Sequence, residues 1–297
     1  MRTILLFIDG FGWGEPDPAL NPQHAYGGEL LRLPALPAAA AGPVPLPRGG
    51  WARPLDAVLG IGGLPQSATG QTTLLSGVNA QAALGKHLTG FPNDALRAIL
   101  LEHSVLRQLT RLGRRACFLN AFRPRFFDFP RERQLQFSAT TVANLAADLP
   151  FFTLDDVAAG RSLYQEFTNA ELRGMGFALD PLTPAEAGRV LGRAAADYDF
   201  VLYEYFQTDK AGHSGEAERA CAELAKLDAF LGAVLDTLPP DALLLLTSDH
   251  GNLEDRRTRR HTTNPVPLMA WGPGAVGFIA PWTRLDQVTP AIVDRHR

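Results

Sequence analysis

The sequence predicts an α/β protein, with a mostly parallel central sheet and helices on both faces. Three observations predict it. Apolar runs of strand length (TILLFI at 3–8, FVLYEYF at 200–206, LLLL at 243–246) show little polar alternation, as strands covered on both faces do. Segments of helical period separate them, at 94–112, 183–198 and 215–238. Polar, glycine-containing loops follow the runs, as in Asp9-Gly10 and Ser248-Asp249-His250-Gly251, where sheets of this kind bind ligands.

Taken in order, residues 3–8 read as a buried strand. Residues 16–54 are rich in Pro and Ala and read as a surface excursion, since so many prolines forbid a long helix. Residues 67–76 read as a loop running into a helix. The 94–112 helix has Asp94 as a cap and Gly113 as a stop. RRACFLNAF at 114–122 reads as a strand. FRPRFFDFPRERQLQF carries five Phe and four Arg in sixteen residues and has poor helical periodicity. Residues 121–182 are therefore expected to form a small lid or cap insertion, with 1–120 and 183–297 as the core. Thr183, Pro184 and Glu186 spell a helix start with a capping box. Strands follow at 200–206, within 241–251 and at 266–272.

Composition narrows the function. Hydrophobic residues make up 46% and charged residues 20% of the 297, which suits a folded globular protein. A net charge of −3 gives no bulk basic field for nucleic acid and no polybasic tail for membranes. Only three of the 28 basic residues are Lys, which reads as genome composition. Cys117 and Cys221 read as small core residues of a reducing compartment. The apolar run before Asp9 is too short for a signal-peptide core, so a cytoplasmic location is expected.

Four polar clusters fall at strand ends: Asp9 in IDGFG, Ser67 in PQSATGQ, Asp209 and His213 in QTDKAGHSG, and Asp249-His250 in SDHGN. A fifth, His261 in HTTNPVP, precedes a strand. Asp-x-x-x-His sets two ligating groups on one face of a helical turn. Carboxylates mixed with imidazoles suit Zn2+ or Mn2+. These six side chains suffice for two ions, and a pair about 3.5–4 Å apart is the usual clamp for phosphoryl displacement.

These ordered motifs resemble the alkaline phosphatase superfamily, in particular the branch of cofactor-independent phosphoglycerate mutase and phosphopentomutase. D-G-x-G at 9–12 is similar to the first metal loop, S-A-T-G-Q at 67–71 to the nucleophile loop, and D-x-x-G-H-S-G at 209–215, D-H-G-N at 249–252 and H-T-x-N-P-V-P at 261–267 to the remaining metal motifs. The resemblance spans about 1–120 and 183–297. It implies an alkaline phosphatase-like fold and two divalent ions, Mn2+ or Zn2+. One would be held by Asp209, His213 and His261, the other by Asp9, Asp249, His250 and the hydroxyl of Ser67. It further implies that Ser67 is the nucleophile and forms a phosphoserine intermediate with a small phosphorylated substrate. Thr69 and Thr72 are the rival hydroxyls.

Two departures matter. The mutases carry a large second domain or a sizeable cap, while only 121–182 is available here, which favours a phosphatase or phosphodiesterase over a phosphomutase. Gln71 stands where the mutases carry His. A catalytically inactive binding module of the same fold is the reading from another class. Thr69, Lys86, His87, Arg123 and Arg125 are weaker candidates for substrate contact. Lys210 is expected to point away from the site. Asn252 and Asn264 are expected to shape their loops, and Glu254 is a candidate to support a metal ligand from behind. Phe126, Phe127 and Phe129 read as the core of the insertion, with stacking on a base or sugar as the alternative.

Overall fold

The computed structural model describes residues 1–38 and 42–297. Seven strands form one sheet: β1 Arg2–Ile8, β2 Val44–Leu46, β3 Gly50–Leu55, β4 Ala116–Phe118, β5 Phe200–Tyr205, β6 Ala242–Thr247 and β7 Val266–Trp271. Their order is β2-β3-β7-β6-β1-β5-β4. The centre (β4, β5, β1, β6) is parallel, while β7 runs antiparallel to β6, β3 to β7 and β2 to β3. The predicted α/β fold is thus borne out, with an antiparallel edge. No helix among the described residues is long and apolar enough to cross a membrane.

Alternation along β1 divides the apolar side chains between two cores. Ile4, Leu6 and Ile8 pack toward the helices Pro184–Ala194 and Ala217–Thr237. Leu5 and Phe7 pack on the other face, toward Ser67–Ser76, Val105–Arg111, Ala139–Ala146 and Val288–Arg295. Each face loses its apolar surface to helices, so the strands carry no polar period.

Two expectations need adjusting. The 16–54 stretch is not only a surface excursion: it supplies the edge hairpin β2–β3, with Trp51 opposite Ala270 of β7. Residues 39–41 of that stretch lie outside the described residues. The expected helix over 94–112 is two helices, Asp94–His103 and Val105–Arg111. Ser104 is extended (ψ 144) and caps the second by accepting from the Arg107 amide, the alternative that a serine side chain offers to continued helix. Within 121–182, the Ala139–Ala146 helix puts Ala139, Val142 and Ala143 into one core, while Leu163 and Phe167 enter the other.

Register positions the site. Ile8 pairs with Tyr205, and Phe7 with Thr247. Asp9, Phe206 and Ser248 therefore leave the sheet side by side. Because β7 runs the other way, its amino end lies at this same edge, which brings in His261 from a segment preceding a strand.

Candidate metal centre

Two clusters meet at the carboxyl edge of the central strands: Asp9 with Asp249 and His250, and Asp209 with His213 and His261. The ligating atoms within each lie within 4.8 Å of one another. The first cluster is buried, Asp249 and His250 completely. The second opens to solvent through His213, whose side chain is 46% exposed.

Local structure explains the convergence. Asp9 follows β1 directly, and its carbonyl accepts from Thr208 Oγ1 at 2.6 Å, tying the loop to the next helix. Gly10 has φ +69, and a Cβ there would lie 2.7 Å from Asp209 Oδ1. Only glycine gives both the left-handed turn and that approach. Asp209 and His213 sit one turn apart in the Gln207–Ser214 helix. Gly70 lets the Ser67–Ser76 helix lie against the Asp249 backbone, since a Cβ would fall 2.7 Å from the Asp249 carbonyl oxygen. Ser67 begins that helix, and its Oγ lies 3.1 Å from His250 Nε2. The helix amino end favours an anion there.

Hydrogen bonding fixes the tautomers. His213 Nδ1 lies 2.7 Å from the Arg259 carbonyl and His261 Nδ1 2.8 Å from the Pro65 carbonyl. A carbonyl only accepts, so both Nδ1 atoms carry the proton. The two Nε2 atoms then face each other 3.2 Å apart, lone pair to lone pair. That contact is repulsive unless a cation or a further proton lies between them. The buried oxygens Asp209 Oδ1 and Asp249 Oδ2 also lack a hydrogen-bond donor, and Asp9 Oδ1 has only His250 Nε2, at 3.2 Å. Orphaned acceptors beside oriented imidazoles fit divalent cations.

Charge crowding tells the same story. Burial, then the Asp9 charge, pushes the Asp249 carboxyl well above its ordinary range and Asp209 up to about 6. Burial would keep His250 neutral, but Asp249 and Asp9 outweigh it and raise the imidazole to about 10. Burial, then the His250 charge, pushes His261 down to about 4. Without a cation the cluster holds protons in its place.

Neighbouring residues brace the loops. Gln71 Nε2 donates to Asp9 Oδ2 at 3.0 Å, so the residue that departs from the mutase pattern orients a carboxylate. Glu254, 1% exposed, accepts from the amides of Gly12 (3.1 Å) and Asn252 (2.8 Å), from Asn264 Nδ2 (3.0 Å) and from Thr262 Oγ1. One carboxylate thereby fastens three motif loops.

A cavity of about 490 Å³ opens beside Asp9, Ser67, Gln71 and Asp209. Arg123 and Arg125 line it, as does Lys210, which was expected to point away and instead pairs with Glu171 at 3.5 Å. Thr69, Lys86 and His87 are not among its lining residues. Thr69 is buried and bonded to the Gln66 carbonyl and the Leu88 amide, His87 Nε2 lies 3.0 Å from the Ile61 carbonyl, and Lys86 is exposed. Sequence reasoning missed Glu204, a 6% exposed carboxyl on the cavity wall. Burial, opposed by the Thr140 hydroxyl and reinforced by Asp9, pushes it up to about 7. Its only signal was a glutamate inside an apolar strand run.

Residues 183–297 match the Metalloenzyme superfamily. A 2,3-bisphosphoglycerate-independent phosphoglycerate mutase of Acetivibrio thermocellus is 37% identical over 106 residues, 33% of this chain and 20% of that protein. The mutase of Syntrophotalea carbinolica is 34% identical over 102 residues, again 20% of its length. The chain thus aligns with about a fifth of these relatives. Among solved structures, the cold-active alkaline phosphatase of a Shewanella species is similar at a TM-score of 0.53 and 11% identity, with all of both chains covered. The alkaline phosphatase of the Antarctic bacterium TAB5 reaches 0.51 at 14% identity, covering 100% of this chain and 98% of that one. At such identities the likeness concerns the fold. The resemblance drawn from the motifs is borne out.

Proposed function

We propose that this protein is a metal-dependent phosphoryl-transfer enzyme that hydrolyses a small phosphate ester through Ser67. The observation that carries the reading is the Ser67 hydroxyl, 3.1 Å from His250 Nε2 at a helix amino end, beside two carboxylate–imidazole clusters. Asp9, Asp249 and His250 with the serine oxygen would hold one divalent ion, and Asp209, His213 and His261 another. Such ions, Mn2+ or Zn2+, acidify a bound hydroxyl and neutralise charge on phosphate oxygens.

Ser67 Oγ forms the new P–O bond as the ester P–O bond breaks. The alcohol leaves with a proton, and the serine carries the phosphoryl group. Water then attacks phosphorus, the P–Oγ bond breaks, and Ser67 regains its hydroxyl with release of inorganic phosphate. Gln71 keeps Asp9 turned inward, and Glu254 keeps the three loops in register. The aligned mutases make transfer between two hydroxyls of one substrate the second reading.

The test is turnover of p-nitrophenyl phosphate and bis-p-nitrophenyl phosphate with Mn2+ or Zn2+, for wild type and Ser67→Ala. The substitution should remove turnover by at least about 1,000-fold while leaving the thermal transition within a few degrees. Full activity in Ser67→Ala would exclude this serine as nucleophile. Inactivity of the wild type across metals and phosphate esters would favour the binding module.

A further inference from the structure

Beyond the metal centre, the cavity wall is aromatic. Phe118, Phe122, Phe126, Phe129, Phe137, Tyr164 and Phe206 line it, and Phe91, 64% exposed, stands nearer the solvent. Phe122 and Phe126 lie 4.2 Å apart between ring centroids, and Phe126 meets Phe137 edge-on at 5.5 Å. This packing presents ring faces and edges to whatever fills the space.

Several polar side chains of the wall are already engaged by the protein, among them Asn120, Ser138, Thr141 and Gln165. Asn120 bonds both backbone groups of Glu204, at 2.8 and 2.9 Å. Ser138 bonds Thr140 and Thr141 at 2.9 Å, and Gln165 donates to Glu171. Along the phenylalanine face, away from Glu204, Tyr164 and the cations, the hydroxyls of a sugar or of glycerate would lose water with few partners to replace it, a costly exchange. An apolar ring gains from the same surroundings. Cations mark the mouth: the Arg125 guanidinium lies 6.0 Å from the Phe129 ring centre, and Lys210 Nζ 4.7 Å from that of Phe206. They favour the approach of an anionic ester.

We infer that this cavity takes the alcohol part of the substrate, and that the substrate is a phosphate ester of a ring-bearing, apolar alcohol. The inference rests on the phosphoryl-transfer reading for its phosphate end, and on the cavity for its alcohol end.

The test separates the two. Benzylphosphonate and ethylphosphonate are titrated into the Mn2+-loaded protein by calorimetry; neither can be hydrolysed. Benzylphosphonate should bind roughly 30-fold more tightly, the gain expected for burying a phenyl-sized apolar surface. Phe91→Ala combined with Phe129→Ala should erase most of that preference. Both residues are partly solvated, so folding should survive, and an unchanged ethylphosphonate affinity checks this. Equal affinities in the wild type, or a preference that survives the paired substitution, would overturn the inference. Turnover is then compared for benzyl phosphate and ethyl phosphate, two aliphatic alcohol leaving groups of similar acidity. A binding preference with neither ester hydrolysed would overturn the hydrolase reading and leave the cavity assignment standing.

Discussion

Asp249→Asn separates a cation site from a hydrogen-bonded structural knot, because the two predict opposite signs. Asp249 is fully buried, its Oδ2 has no donor, and its ligating oxygen lies within 4.8 Å of one from Asp9. Two carboxylate charges at that separation repel by roughly 3 kcal/mol at an effective dielectric of about 20. Proton uptake relieves part of this, since burial and Asp9 push Asp249 upward. The amide is neutral and nearly isosteric. Its amide oxygen can take the place of Oδ2, 3.5 Å from His250 Nε2, which carries a proton when the imidazole is charged. In EDTA the variant should therefore be more stable than wild type, by about 1–3 kcal/mol. In Mn2+ the order should reverse. An ion at about 1,000 times its dissociation constant adds about 4 kcal/mol per site, and the variant forfeits most of one site. Urea denaturation at pH 8 in the two buffers reads both numbers. A variant less stable than wild type in EDTA would refute the reasoning, because it would make Asp249 a structural hydrogen-bond acceptor.

Other positions give independent checks. Glu254→Gln replaces an acceptor of four donors by an amide whose N–H must face another N–H, so it should cost about 2–3 kcal/mol in EDTA as well as in Mn2+; isothermal titration should also show about tenfold weaker metal binding. Gly70→Ala would ordinarily stabilise a helix by about 1 kcal/mol, but its Cβ would lie 2.7 Å from the Asp249 carbonyl oxygen, so denaturation should show a loss of roughly 2 kcal/mol. His296 is 2% exposed and contacts Thr3 Oγ1 at 3.0 Å; burial, then the N-terminal ammonium, pushes it down to about 4. Its folded value lies below the unfolded 6.5, so the unfolded chain binds the proton first. The stability it confers is complete above pH 6.5 and is lost as pH falls toward 4, by at most about 3 kcal/mol. His296→Gln should flatten that part of the stability–pH curve.

Legibility in the sequence followed burial. Asp9, Asp209 and Asp249 stood out because each follows a largely apolar run, where a change to polar residues marks the edge of a covered sheet. His261 was harder. A residue preceding a parallel strand belongs at the opposite edge, and only the antiparallel direction of β7 reconciles its motif with the site. Ser104 lay inside good helical periodicity, and nothing local said that its capping geometry would prevail over one continuous helix. Gln71 was visible as a departure from the mutases, but not as the donor that holds Asp9. Glu204 was hidden for the opposite reason: its neighbours announce a buried strand, so a lone carboxyl there reads as an exception until the fold sets it on the cavity wall. Of Phe126, Phe127 and Phe129, expected as core of the insertion, Phe126 is buried while Phe127 is 43% exposed, and the contacts of Phe126 with Phe122 and Phe137 also form the wall.

In the reaction proposed above, water access bears on whether a phosphoserine would be hydrolysed or would pass its group back to substrate. A mutase must retain its dephosphorylated intermediate and keep water from phosphorus. Here one cluster reaches solvent through His213, while the other, with Asp249 and His250 fully buried, meets the cavity through Asp9. The serine hydroxyl, 3.1 Å from His250 Nε2, lines a space whose wall suits a ring better than a polyol. Once an apolar alcohol departs, its hydroxyl has few partners on that wall to hold it for a second attack, and water enters from the open side. Inorganic phosphate without isomerised ester is the product this geometry favours, and scoring both in one assay decides between the two reactions.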